Sequence, residues 1–309
     1  MSSDLILHHF DLSPFAEKIR MVLGCKAARW RSVKIPMAMP KPDVVALTGG
    51  HRRTPLLQIG ADVWCDTALI ARVLDRHLPS PLLHPPEQPL APLLAQWADW
   101  TLFWSVSNFL SQPSCLNYRF AGLSAEERAV VAADRDSFRA KVPRVSAADT
   151  SANLRQYLGA LEAQLGQGGE FLCGPLTIAD FSVAHSVGRL RGVGAPAEAL
   201  IAPCTHLRRW HDRMLASGHG SREKLSSEDA VQIAAKASGH EPTTFTAEPG
   251  LERGQQVGVS AVDYGTESSV GTLVGLGPYE VVIERKDKHA GTVHVHFPRA
   301  GFQIAPASA

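Results

Sequence analysis

Phe10-Asp-Leu-Ser-Pro-Phe-Ala-Glu-Lys-Ile-Arg20 opens a helix, and its two punctuating residues stand where a helix start favours them. Ser13 falls at the N-cap, where its hydroxyl can accept from a free backbone N–H. Pro14 falls at the first helical position, where no N–H is needed. Downstream, Phe15, Ile19, Val22 and Leu23 recur at i, i+4, i+7 and i+8 and so share one helical face, with Gly24 placed to close the helix. Upstream, Leu5-Ile6-Leu7 is an apolar run of strand length. Further out, Trp30 to Ile35 reads as a second strand ended by Pro36. Pro55–Ile59 and Asp62–Cys65 then flank Gly60-Ala61, a two-residue link with glycine first that suits a type II′ hairpin. A last helix carries Leu69, Ile70, Val73 and Leu74. The order β-α-β, then β-β-α, over residues 1–80 predicts a small mixed sheet with helices packed on it.

Residues 79–92 hold six prolines and read as a linker. Over 91–238 helical periodicity dominates. Leu94, Trp97, Thr101 and Trp104 share one face, and Leu154, Tyr157, Leu158, Leu161 and Leu165 another. Ser124-Ala-Glu-Glu127 and Thr177-Ile-Ala-Asp180 are capping boxes, the second reinforced by Leu176 and Phe181 at hydrophobic-staple positions. An all-helical domain is expected. From about 241 the texture becomes linker-like, and residues 251–309 alternate with period two. Val257, Val259 and Ala261 share a face, as do Val281 with Ile283, and Val293, Val295 with Phe297. Gly-rich breaks between these runs predict a small β-barrel or sandwich.

The 309 residues suffice for two or three domains. Thirty-one Lys and Arg against thirty Asp and Glu leave a charge of +1, which speaks against a nucleic-acid or anionic-membrane binder. No apolar run approaches the ~20 residues that span a bilayer. The amino-terminal residues lack the basic start of a secretory signal. Five cysteines without a C-x-x-C pair or zinc spacing fit a reducing compartment, so a cytoplasmic location is expected.

Three short motifs can carry chemistry. Ser13 reads first as a cap, yet a hydroxyl beside free N–H groups at the positive end of a helix dipole also stabilises an anion, a thiolate included. Thr54-Pro55 starts a strand. Trans is the default for an X–Pro bond, whereas a cis bond would turn the Thr54 backbone outward to pair with an extended peptide. Asp66-Thr67, between a strand and a helix, reads either as a cap or as a carboxylate that accepts an ammonium beside donors for a carboxylate. Trp97, Trp100, Phe103, Trp104 and Tyr118 are core or pocket aromatics, with core the commoner outcome of such spacing. Cys25 and Cys65 read as small buried hydrophobes.

The order of these pieces resembles the glutathione transferase family over residues ~4–220: strand, Ser-Pro-Phe-Ala-Glu-Lys-Ile-Arg, strand, Thr-Pro-Leu-Leu, hairpin, Asp-Thr-x-x-Ile, proline linker, helical domain with Thr-Ile-Ala-Asp. The resemblance implies a thioredoxin-like domain (1–80) that binds glutathione as co-substrate and an all-helical domain (91–238) that helps hold a small electrophile. It also implies a homodimer and a detoxification-type transferase activity. Carried over by position, Ser13 matches the thiol-activating residue and Pro55 the cis-proline, with Thr54 contacting the tripeptide. Asp66 and Thr67 match the pair that holds the γ-glutamyl end. Asp-Thr stands here for the commoner Glu-Ser. Ser-Pro-Phe-Ala stands for the Cys-Pro-Phe-Ala of omega-type members, which implies conjugation rather than disulfide exchange. Two other readings stay open: a non-catalytic transferase-fold binding or assembly module, and a glutathione-dependent lyase, dehalogenase or isomerase.

The 251–309 unit lies outside that resemblance and only faintly resembles KOW- or Tudor-like barrels. Its five Lys or Arg against six Asp or Glu leave no basic footprint for nucleic acid. It is expected to pack on the helical domain, to extend the dimer, or to bind a protein partner. His294 and His296 alternate onto one strand face, a geometry that can seat a metal, but no third ligand is in view and no metal is expected.

Overall fold

The computed structural model describes residues 4–115, 122–139, 142 and 145–307. The amino-terminal third follows the expected order: β1 (Ile6–His9), α1 (Pro14–Cys25), β2 (Arg29–Lys34), α2 (Pro42–Thr48), β3 (Leu56–Ile59), β4 (Asp62–Cys65) and α3 (Thr67–His77). Strand β1 pairs parallel with β2 and antiparallel with β3, and β3 pairs antiparallel with β4. At the hairpin, Ile59 faces Asp62, and Gly60 takes the positive φ of 59° that a side chain would resist. Both faces of this sheet are covered. Leu5, Leu7, Leu57 and Trp64 pack with α1, α3 and the helical domain, while the alternate residues Ile6, Leu56, Val63 and Cys65 pack on the opposite side with α2.

The linker leads to α4 (Ala91–Trp97), which passes through a π-helical turn (Ala98–Leu102) into α5 (Phe103–Phe109). Then come α6 (Ala125–Arg139), α7 (Ala147–Leu165), α8 (Ile178–Arg191), α9 (Ala195–Ile201) and α10 (Thr205–Ala216). Leu154, Leu158, Leu161 and Leu165 form the buried stripe of α7, as their spacing predicts. Helix α8 is buried almost all round, and both expected capping boxes are present. Asp180 also accepts from Leu172 N at 2.9 Å and Trp210 Nε1 at 3.1 Å, so one carboxylate ties the start of α8 to its surroundings.

Two expectations need correcting. The all-helical reading of 91–238 fails at Ser221–Leu225, which forms strand β5 on the open edge of β2. Its charged Ser-Arg-Glu-Lys-Leu has no apolar alternation because it is an exposed edge strand held by backbone hydrogen bonds. Gly24 does not close α1, which runs to Cys25. A Cβ on Gly24 would lie 2.0 Å from the Gly218 carbonyl oxygen, so close backbone approach is what requires glycine there.

After α11 (Ser227–Lys236), the last strands are β6 (Gln256–Ala261), β7 (Ser269–Leu276), β8 (Glu280–Asp287), β9 (Gly291–Pro298) and β10 (Phe302–Pro306). They form an antiparallel meander in which β10 returns to pair with β6. This strand-rich unit joins the thioredoxin-like sheet edge to edge: β9 pairs parallel with β4, giving ten strands in the order β10-β6-β7-β8-β9-β4-β3-β1-β2-β5. Val257, Val259, Val281, Ile283, Val293, Val295 and Phe297 share a core with α2, α11 and β4. The unit therefore packs chiefly on the thioredoxin-like sheet and not, as expected, on the helical domain, because β4 leaves an open edge with which β9 pairs.

Candidate functional site

Ser13 caps α1 as expected. Its Oγ accepts from Ala16 N at 3.2 Å, its carbonyl accepts from Glu17 N at 3.0 Å, and it is 3% exposed. Among the described residues Ser13 Oγ takes part in no other side-chain hydrogen bond, which leaves its donor capacity unused. Ser13 borders a cavity of about 470 Å³ walled by Lys41, Arg52, Trp104, Phe138 and Arg139. Lys41 is buried, and loss of hydration pushes its ammonium down to about 8.

The Thr54–Pro55 bond is cis. Pro55, Asp66 and Thr67 line a second cavity of about 660 Å³, within the ordinary range for small-ligand sites. Asp66 holds a positive φ of 72°, rare for a residue with a side chain, and its carboxylate accepts from Ala68 N at 2.9 Å. Burial raises its pKa against the pull of that amide and of Arg53. Thr54, Phe15, Arg53 and Tyr264 line both cavities, so the five expected positions lie along one cleft in two compartments.

The residues that divide and brace this cleft were not singled out from sequence. Tyr264, in the loop between β6 and β7, sits between the compartments. Its ring lies 3.8 Å from the Arg53 guanidinium carbon and packs edge-on against Trp104 at 5.3 Å and Phe138 at 5.1 Å. Arg53 donates to the Asp263 carboxylate and to the Tyr264 carbonyl. Burial raises the Tyr264 phenol well above its usual range, so it stays protonated. Arg53 is adjacent to Thr54 and was within reach of the motif; nothing in the loop sequence around Tyr264 signals that it would enter this cleft.

Beneath the cleft Lys18 is fully buried. Its Nζ donates to Thr67 Oγ1 at 3.1 Å and to Asp99 Oδ2 at 2.6 Å. Asp99, presented by the π-helical turn, also accepts from Ser182 Oγ at 3.2 Å and pairs with His185 Nε2 at 3.1 Å. Burial would raise the Asp99 carboxyl, but Lys18 and His185 outweigh it and hold the group below the usual range. An ammonium thus fixes the hydroxyl of a candidate ligand residue to the helical domain.

The aromatic residues divide between core and pocket. Trp97 packs in the core against Tyr157, Phe103 packs at a tilt against Phe15 with ring centroids 4.6 Å apart, and Trp100 and Trp104 line the two cavities. Tyr118 lies outside the described residues. Cys65 is fully buried and its thiol is pushed well up by burial, which leaves it inert; burial also raises Cys25. No helix among the described residues is long and apolar enough to cross a membrane.

Family models match in two places: Glutathione S-transferase, N-terminal domain, over residues 7–82, and Glutathione S-transferase, C-terminal domain, over residues 146–213. Among solved structures, a GST-like protein from Pseudomonas syringae is 40% identical, with 99% of this chain and 100% of that one covered and a TM-score of 0.84. Glutathione S-transferase III in its apo form is 20% identical, covering 78% of this chain and 100% of that one at a TM-score of 0.52. The β-etherase LigF from Sphingobium sp. strain SYK-6 is 16% identical, covering 69% and 95% at 0.52. The last two share the fold. No curated protein matches the chain.

Proposed function

Because this chain belongs to the glutathione S-transferase family, we propose that it binds glutathione along Thr54 and activates its thiol at Ser13 for attack on a small electrophile. Charge sets the direction of the tripeptide. Asp66 takes the γ-glutamyl ammonium, with Thr67 beside it for the adjoining carboxylate. The buried Lys41 of the other compartment takes the glycyl carboxylate, a pairing that offsets its own burial. Pro55 shapes the turn that presents Thr54. The two ends then bring the cysteinyl sulfur to the start of α1.

The observation that carries this reading is the Ser13 hydroxyl at the start of α1: Ala16 N takes one of its two lone pairs, and its rotatable proton can be offered to a thiolate at the positive end of the helix. A thiol of pKa ~8.5 is only about 3% ionised at pH 7. A two-unit drop raises that fraction about twenty-fold, while falling nucleophilicity returns about ten-fold. Ionisation therefore contributes little net rate, and acceleration comes mainly from holding the electrophile against the sulfur. The 470 Å³ compartment, with Ser13, Trp104 and Phe138 in its wall, offers that acceptor an aromatic-lined place beside the sulfur. The working form in this reading is a cytoplasmic homodimer.

The test is retention on immobilised glutathione and turnover of a general electrophile, followed by titration of the bound thiol. A hydroxyl-to-thiolate bond is worth about 1.5–3 kcal/mol, so Ser13→Ala should raise the bound thiol pKa by about 1–2 units. An unchanged pKa with binding intact removes Ser13 from this role. A second reading, a transferase-fold binding module without turnover, is favoured by one contact. Asp263 and Tyr264 already occupy the Arg53 guanidinium inside the cleft. Retention without turnover would support it. Product analysis with halogenated, ether and isomerisable substrates separates transferase from dehalogenase, lyase and isomerase.

A further inference from the structure

Outside the lining of the cleft, the seam between β4 and β9 gathers the ligand that His294 and His296 lacked in the sequence. In this parallel pair Asp62 lies opposite His294, and Trp64 opposite His296. Asp62 and His296 are each 2% exposed and His294 is 9% exposed. One donor atom from each of the three lies within 4.8 Å of the others. His240, from the segment after α11, stacks on His294 with ring centroids 3.6 Å apart.

From this arrangement we propose that Asp62, His294 and His296 bind a zinc-type divalent metal ion, with His240 able to close the fourth position once its ring turns off the stack on His294. Three distances carry the case. Asp62 Oδ1 lies 2.9 Å from His296 Nε2 and 3.7 Å from His294 Nδ1, and Asp62 Oδ2 lies 3.6 Å from His240 Nδ1. With metal bonds of ~2.0–2.1 Å, tetrahedral ligand atoms stand about 3.3 Å apart. The observed spacing brackets that value.

A purely hydrogen-bonded cluster accounts for the His296–Asp62 contact and leaves the rest unexplained. His240 Nδ1 and His294 Nδ1 are buried, face the carboxylate and make no hydrogen bond. Outward-facing nitrogens point at further carboxylates: His294 Nε2 lies 3.6 Å from Glu284 Oε2, and His296 Nδ1 lies 3.5 Å from Glu280 Oε2. A metal-ligating imidazole whose second nitrogen faces a carboxylate is the recurrent outer-shell arrangement that orients such ligands. Imidazole with a single carboxylate suits zinc better than calcium or magnesium, which take oxygen ligands. The ion would clamp the strand-rich unit and the segment before it onto the thioredoxin-like sheet.

Tag-free, full-length protein is stripped with a chelator, dialysed, and titrated with zinc by calorimetry and with cobalt(II) by visible spectroscopy. The expected result is one zinc per chain, a rise in Tm on binding, and the absorption bands of tetrahedral cobalt. Asp62→Asn and His296→Ala, checked for native circular dichroism, should weaken zinc by about tenfold or more. Folded wild-type protein that takes up no zinc at equimolar concentration overturns the proposal. So does zinc binding of equal strength in a folded variant, the behaviour of scattered surface histidines. The wild-type titration decides the matter even if a variant does not fold, and it is independent of glutathione binding.

Discussion

Lys18→Met should unfasten the candidate site from the helical domain. The ammonium is fully buried and bridges Thr67 Oγ1 to Asp99 Oδ2, whose side chain is only 18% exposed. Removing one partner of a buried ion pair costs about 3–5 kcal/mol, because the other charge stays behind without compensation. Asp99 would keep Ser182 and His185, so the lower end, about 3 kcal/mol, is the expected loss at pH 7. The pH dependence is equally specific. In the wild type the lowered Asp99 pKa supplies stability above the ordinary carboxylate pKa, and this is lost as pH falls through the folded value. Without Lys18 the folded pKa rises, protonation relieves the stranded carboxylate sooner, and the gap between variant and wild type narrows on acidification. Urea unfolding followed by tryptophan fluorescence at pH 7 and at lower pH measures both effects. Glutathione affinity should fall in parallel, since Thr67 loses the donor that orients it. A loss at pH 7 below about 1 kcal/mol, the scale of an exposed pair, would refute the reasoning.

Two more outcomes follow from other parts of the molecule. Tyr264→Ala removes the ring that borders both compartments, so the KM for bulky electrophiles should fall relative to small ones while glutathione affinity holds. Kinetics across a series graded by acceptor size measure this, and an unchanged ranking would show that Tyr264 does not limit the pocket. Acidification should destabilise the protein through His8 and His51, whose imidazoles burial depresses from 6.5 to about 4 and about 3. The unfolded chain takes up these protons below pH 6.5 while the folded one does not, so stability falls as pH drops through that window. At pH 5 each contributes roughly 2 kcal/mol of loss, at about 1.4 kcal/mol per unit. Urea midpoints between pH 7 and 5 test it, and a flat profile would contradict the burial of these rings.

Legibility differed sharply between local and long-range features. The α1 cap, the Gly60 hairpin and both capping boxes were readable because each is set by residues within a few positions of one another. The order of the motifs then carried Thr54, Pro55, Asp66 and Thr67 into one cleft. Contacts across the chain were not readable. Tyr264 reaches Arg53 over roughly two-thirds of the sequence, and Lys18 lies in a helix whose spacing gives no sign that a charge will be buried against Asp99. Strand β5 escaped notice for a related reason: its pairing is made by backbone atoms, while its side chains have the charged composition of a surface helix. The period-two runs of the last strands indicated their type and inward faces, but not that β9 would seek β4.

The junction of β4 with β9 also bears on how this protein can be dissected. Cleaving the chain after α11 would not release a self-sufficient two-lobed unit. It would strip the backbone partners of Asp62, Val63 and Trp64 and bare the apolar underside around Ile6, Leu56, Val63 and Cys65. Such a fragment would carry a sticky, strand-hungry flank, prone to clumping with its own kind. Expression boundaries drawn from shorter relatives would therefore cut through a shared interior.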